Sequence, residues 1–134
     1  MSKAIKTKED IKTFEDACEV LGMDASIPNL SAMPESYQKP MLAHYKLCVI
    51  TQAINTLENE GETWKPNWND WDQYKYYPWF EMGSPSGGGF SADDCDYWYA
   101  ASLCGSRLCF KTREAAKYAG KQFEALYKEY FVIE

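Results

Sequence analysis

The sequence has one histidine, no C-x-x-C pair and no long apolar run. With His44 as the sole imidazole, few routes remain to a histidine-rich metal site or a catalytic triad. The five cysteines, Cys18, Cys48, Cys95, Cys104 and Cys109, are odd in number and irregular in spacing. That argues against a disulfide framework and for a reducing, intracellular setting. The N-terminal stretch "MSKAIKTKEDIKTFEDA" lacks the apolar segment of a signal peptide. No stretch approaches the roughly 18–20 apolar residues of a membrane span. The expectation is a soluble, cytoplasmic protein with no membrane partner. Positive charge is also short: 14 Lys and Arg stand against 20 Asp and Glu, a net charge of -6. Nonspecific nucleic-acid affinity needs surplus cations to displace counterions, so direct nucleic-acid binding is not expected.

What the chain has in excess is aromatic side chains, 16% of 134 residues. Aromatics bring large apolar area with few rotatable bonds, which suits a small core. The length fits one domain, residues 1–134. Thr13 reads as the N-cap of a first helix, with Phe14, Ala17, Cys18 and Leu21 on one stripe and Gly22 as its stop. The Lys-rich residues 1–10 are expected to fray. A second helix starts at Pro34, or afresh at Pro40. Its stripe is Leu42, Tyr45, Val49, Ala53 and Leu57, widened by Leu47, Ile50 and Ile54, and Gly61 ends it. Strand signals follow at Tyr74 to Phe80, around Asp96 to Ala100, and at Arg107 to Lys111. Pro78 marks an edge or a bulge. Residues 83–89, "GSPSGGG", read as a flexible loop, and Gly105 to Arg107 as a turn. Thr112 then caps one last helix, striped by Ala116, Ala119, Phe123, Leu126, Tyr127, Tyr130 and Phe131. The expected fold is α+β: a small antiparallel three-stranded meander flanked by two N-terminal helices and one C-terminal helix.

Few residues nominate chemistry. Asp93, Asp94, Cys95 and Asp96 lack the spacing of a calcium loop, and a zinc site wants paired cysteines; both favour a solvated acidic loop over a metal. A Cys–His nucleophile needs a cysteine beside His44, which lies mid-helix between Ala43 and Tyr45 and reads as a surface or core-edge histidine. There is no G-x-S-x-G elbow, and "GSPSGGG" lacks the lysine of a phosphate loop. The expectation is no enzyme, no cofactor, no metal and no catalytic residue. The candidate binding residues are instead Trp64, Trp68, Trp71, Tyr74, Tyr76 and Trp79, with Arg107 as the best single cation. Strand alternation puts aromatics of Tyr74 to Phe80 on both faces, and three helices cover only one. An uncovered aromatic face marks an interaction surface. The competing expectation is that the loop tryptophans fold back and plug the sheet ends.

The stretch "WKPNWN", continued by "QYKYY" to Tyr77, resembles a motif of small proteins from bacteriophages and mobile elements, including those of gut Bacteroidetes, in which an aspartate commonly stands at the place of Asn67. "KTFEDACEVLG" and "GSRLCFKTREAAKYAGKQF" resemble the start and the closing strand and helix of the same proteins. The resemblance carries no motif specific to an activity. It implies a phage or mobile-element accessory protein in the host cytoplasm, or one associated with the virion, that binds a host or phage protein. Two other readings stand beside it. One is a nucleotide-like ligand in an aromatic pocket, with Lys65, Lys75 and Arg107 on its phosphates. The other is a self-assembling component, with a homodimer through the apolar end "YKEYFVIE".

Overall fold

Local chemistry sets the helix ends. In the computed structural model, which describes residues 5–70, 72–83, 88–98 and 107–133, α1 spans Phe14–Leu21. Thr13 Oγ1 accepts the Asp16 N–H at 3.1 Å, and the Asp16 carboxylate accepts the backbone N–H groups of Thr13 at 3.2 Å and Lys12 at 3.0 Å. This reciprocal box satisfies N–H groups that a helix start leaves unpaired. Gly22 closes the helix at φ 65°, a left-handed conformation that glycine takes without a Cβ clash. α2 spans Glu35–Glu58, with Pro34 as its N-cap and Pro40 inside it. Of the two starts left open by the sequence, the first holds. The buried face of α2 includes Leu47, Val49, Ile50, Ala53 and Ile54 of the widened stripe expected, together with Ala43, while Leu42, Tyr45 and Leu57 are only partly buried.

Of residues 1–10, the first four lie outside the described residues. Lys8–Asp10 form a 3-10 turn capped by Thr7. The Tyr118 hydroxyl reaches back to it, 2.7 Å from the Ile11 carbonyl oxygen and 3.2 Å from that of Glu9. Lys8 Nζ lies 3.3 Å from a Glu58 carboxylate oxygen.

The strands depart from the expected meander. β1, Lys75–Glu81, and β2, Ser91–Trp98, pair antiparallel with Tyr76 opposite Tyr97 and Pro78 opposite Cys95. The register shifts between Trp79 and Phe80, so Asp93 is the extra residue of a bulge beside Pro78. The Glu124 carboxylate accepts the Ala92 N–H at 2.8 Å next to it. The third segment is a single bridge, at Phe110, and it pairs with β1 rather than following on from β2. Tyr76 and Phe110 exchange both backbone bonds, at 3.1 and 2.7 Å. Pro78 presents its nitrogen to that same edge, two residues on, and has no N–H to extend the ladder. The far side of the segment is occupied by a helix: Asn55 Nδ2 donates to the Cys109 carbonyl at 2.9 Å, and the Lys111 N–H donates to Asn55 Oδ1 at 2.9 Å. Asn55 thus completes, from α2, the pairing that another strand would supply.

The expected single C-terminal helix is also corrected. There are two, α3 at Arg113–Gln122 and α4 at Glu124–Phe131, broken at Phe123. With two N-terminal and two C-terminal helices, the protein is α+β. The halves cover different ground: α3 packs on both strands, and α4 packs on α2. α3 faces the sheet with Ala115, Ala116, Ala119 and Gly120, all buried. A Cβ built on Gly120 would stand 2.9 Å from Pro78 Cβ, so the helix sits on the strand as closely as a glycine allows. α4 brings Tyr127, whose ring centroid is 4.8 Å from that of Phe80. One core joins Ile11, Phe14 and Cys18 to Leu47, Ile50 and Ile54, and through Phe80, Phe90 and Phe110 to Ala116, Phe123 and Tyr127.

Candidate functional site

The aromatic stretch divides at Gln73. Before it, residues 66–70 and 72–73 belong to a loop built from short side-chain bonds. Asn67 Oδ1 accepts the Asn69 N–H at 3.0 Å, Asp70 Oδ1 accepts the Asp72 N–H at 2.9 Å, and Gln73 Oε1 accepts the Asn67 N–H. These are turns that Asn and Asp make with the backbone two residues on. Only the oxygen of Asn67 is engaged in its turn, so an aspartate there would serve the same geometry.

After it, β1 alternates. Pro78 and Phe80 face the helices. The other face starts with Lys75, which is fully buried at 0% exposure. Lys75 Nζ donates to the Asp70 carbonyl at 2.8 Å and stands 5.4 Å from the Trp68 ring centroid. The loop therefore closes over a lysine, held by one hydrogen bond and a cation–π contact. A charged group is rarely buried without compensation, and here the compensation comes from the loop.

The candidate binding residues fall into different settings. Trp64 and Trp68 are half-buried. Trp71 and the Trp79 side chain lie outside the described residues, as do Cys104 and residues 84–87 of the expected flexible loop. Tyr74 is 38% exposed and meets Tyr76 edge-on at 6.0 Å. Arg113, which sequence reasoning passed over, sets its guanidinium 5.3 Å from the Tyr76 ring centroid. Its signal in the sequence was its place just after the Thr112 cap, in the first turn of α3. Arg107 is exposed, and its charge acts on Cys48 of α2. Lys75, nominated for a ligand phosphate, is enclosed.

Among the described residues the most exposed large apolar side chains lie elsewhere. Ile133 is 91% exposed, Tyr37 59% and Ile27 54%. Tyr37 and Ile133 line a groove of about 930 Å³ between the start of α2 and the end of α4, with Pro28, Leu42, Tyr130 and Val132. Lys39 and Glu129 also line it and lie 4.0 Å apart. Sequence reasoning had marked the tail from Tyr130 to Ile133 as apolar surplus, but had not paired it with the connector before α2.

Thiol chemistry is subdued. Among the described residues Cys18, Cys48, Cys95 and Cys109 are thiols outside any disulfide. Burial pushes the Cys109 thiol up to about 11, against the pull of the Lys75 charge. Burial also raises Cys18, with Glu15 and Asp24 adding to it. These thiols are held in their weakly nucleophilic protonated form near neutrality. Cys48 does meet the single histidine, with Sγ 3.6 Å from His44 Nε2. Among the described residues no three His, Cys, Asp or Glu side chains gather as a metal site, and no helix is long and apolar enough to cross a membrane. In comparisons with known proteins, the chain matches no family model, no curated protein and no solved structure.

Proposed function

We propose that the chain is a non-enzymatic protein-binding module, encoded by a phage or mobile element, whose docking surface is the groove between α2 and α4. The observation that carries this reading is the clustering of exposed apolar side chains at that end. Tyr37 and Ile133 both line the groove and both stand largely in water. Apolar surface gathered around a concavity is how protein interaction sites present themselves. Lys39 and Glu129 supply a polar rim of both signs, as interfaces commonly have. The partner is an apolar or aromatic segment of a host or phage protein, met in the host cytoplasm or on the virion. In this reading the tryptophan loop is a scaffold, because Trp68 and Asp70 are engaged with Lys75.

The test compares the wild-type chain with a Tyr37→Glu, Ile133→Glu double variant in affinity purification from the host, during growth and during infection. Both positions are exposed, so the variant should fold normally. The expected result is a partner that the wild type retains and the variant loses. Identical recoveries from the two chains would overturn the assignment of the groove. Light scattering after size exclusion reads the self-association alternative: a dimer dissolved by the same substitutions would put a second copy in the groove.

A further inference from the structure

His44 and Cys48 stand one turn apart on α2, the i, i+4 spacing by which a helix presents two ligands on one face. Their donor atoms meet, with Nε2 3.6 Å from Sγ. A tetrahedral ion with a metal–sulfur bond of about 2.3 Å and a metal–nitrogen bond of about 2.05 Å holds those two donors about 3.6 Å apart. The separation equals that bite, although a simple S–H···N contact has the same length. We propose that His44 and Cys48 form a two-donor chelate for a zinc-class cation, with the remaining coordination positions open to water or to a ligand from outside the chain.

The ring is held for this role. Tyr130 stacks on His44 at 4.7 Å between centroids and 29° between planes, which restricts the tilt of the ring plane. Both residues are partly exposed, so an ion can reach them. The other ring nitrogen, Nδ1, is buried with no hydrogen-bond partner among the described residues, so the N–H it carries when Nε2 binds the ion has no acceptor there, which lowers the affinity. Imidazole and thiolate together suit zinc rather than magnesium or calcium. Binding forms the metal–sulfur and metal–nitrogen bonds and releases the Sγ proton to solvent, with no electron transferred. Burial raises the Cys48 thiol, against the pull of the Arg107 charge, so the ion must displace a proton, and Arg107 also repels the ion. No third His, Cys, Asp or Glu among the described residues completes the set. The site is therefore an exchangeable one, weaker than a four-ligand structural centre. It does not depend on the groove having a partner.

The experiment titrates the full, reduced, metal-free chain with Co²⁺, whose thiolate charge-transfer band reports a sulfur ligand. One saturable equivalent is expected, displaced by Zn²⁺, with the band lost in both Cys48→Ser and His44→Gln. Absence of the band at saturating Co²⁺, or its survival at full strength in either folded variant, overturns the proposal. A second reading needs no variant: the chain has one histidine, so its ring protons are identifiable by NMR. They should shift saturably on addition of Zn²⁺, and unmoved signals would equally overturn the chelate.

Discussion

Replacing Asn55 tests the account of the third strand. The Asn55 side chain is 5% exposed and holds both backbone groups that flank Phe110, at 2.9 Å each. Asn55→Ala removes the bond that Asn55 gives to the buried Cys109 carbonyl and the one it accepts from the Lys111 N–H, where water has some access. Losing such a bond at a buried group costs about 1–3 kcal/mol. Taking about 2 kcal/mol for the enclosed carbonyl and about 1 kcal/mol for the wetter N–H gives a destabilisation of about 3 kcal/mol. For a domain of this size that lowers Tm by roughly 10–15 °C. Equilibrium urea unfolding followed by tryptophan fluorescence reads it as a lower midpoint at unchanged slope. Asn55→Leu separates hydrogen bonding from volume, since it fills the space and restores neither bond. It should fall within about 1 kcal/mol of Asn55→Ala if the two bonds dominate. A loss below about 1 kcal/mol for Asn55→Ala, or wild-type stability for Asn55→Leu, would refute the argument.

Gly120→Ala should destabilise the protein by about 1–3 kcal/mol despite a gain in helix propensity, because the new Cβ would sit 2.9 Å from the rigid Pro78 ring; a higher melting temperature would contradict the close packing of α3. Tyr118→Phe removes the hydroxyl held by the Ile11 and Glu9 carbonyls. The loss should be about 1 kcal/mol, with faster hydrogen exchange confined to residues 5–12. Burial, then Glu9, Asp10 and Asp16, raise this tyrosine above its ordinary value of 10.0. The folded state keeps the proton longer than the unfolded chain, so this contribution is fully present below pH 10 and falls as pH rises through the raised value. An alkaline unfolding series should therefore be flatter for Tyr118→Phe than for the wild type. Lys75→Met should leave the fold intact but loosen residues 66–73, read as faster proteolysis in that loop and a changed Trp68 emission; unchanged cleavage would show that the lysine does not hold the loop.

The parts of the fold legible in the sequence are those decided within one turn of chain. Thr13 and Thr112 are N-caps as expected, accepting the N–H groups of Asp16 and Ala115 at 3.1 Å each. Gly22 stops α1 as expected. Pro78, expected at an edge or a bulge, has the bulge beside it. The break at Phe123 was not legible, because the apolar stripe runs through it at helical spacing. What divides the helix is its surroundings: small residues meet a strand on one half, and large aromatics meet α2 on the other. The alternation of Leu108 and Phe110 signalled a strand, but only the bridge at Phe110 forms, with Arg107 and Leu108 in a turn. Its length was set from outside, by Asn55 on α2 and by the missing N–H of Pro78.

The same distinction explains the candidate site. Aromatic abundance in residues 64–80 showed where large side chains are, but not what they touch. The ring of Trp68 meets Lys75, and that lysine is invisible as a buried group until the loop is closed over it. An aromatic-rich segment can thus supply rigidity while recognition is assigned to an end of the molecule with ordinary composition. That end, Tyr37 with Tyr130 to Ile133, joins segments about ninety residues apart in the chain. No periodicity within either segment could have paired them. The pairing follows from α4 packing on α2, a contact between elements far apart in the chain that neither segment's own pattern records.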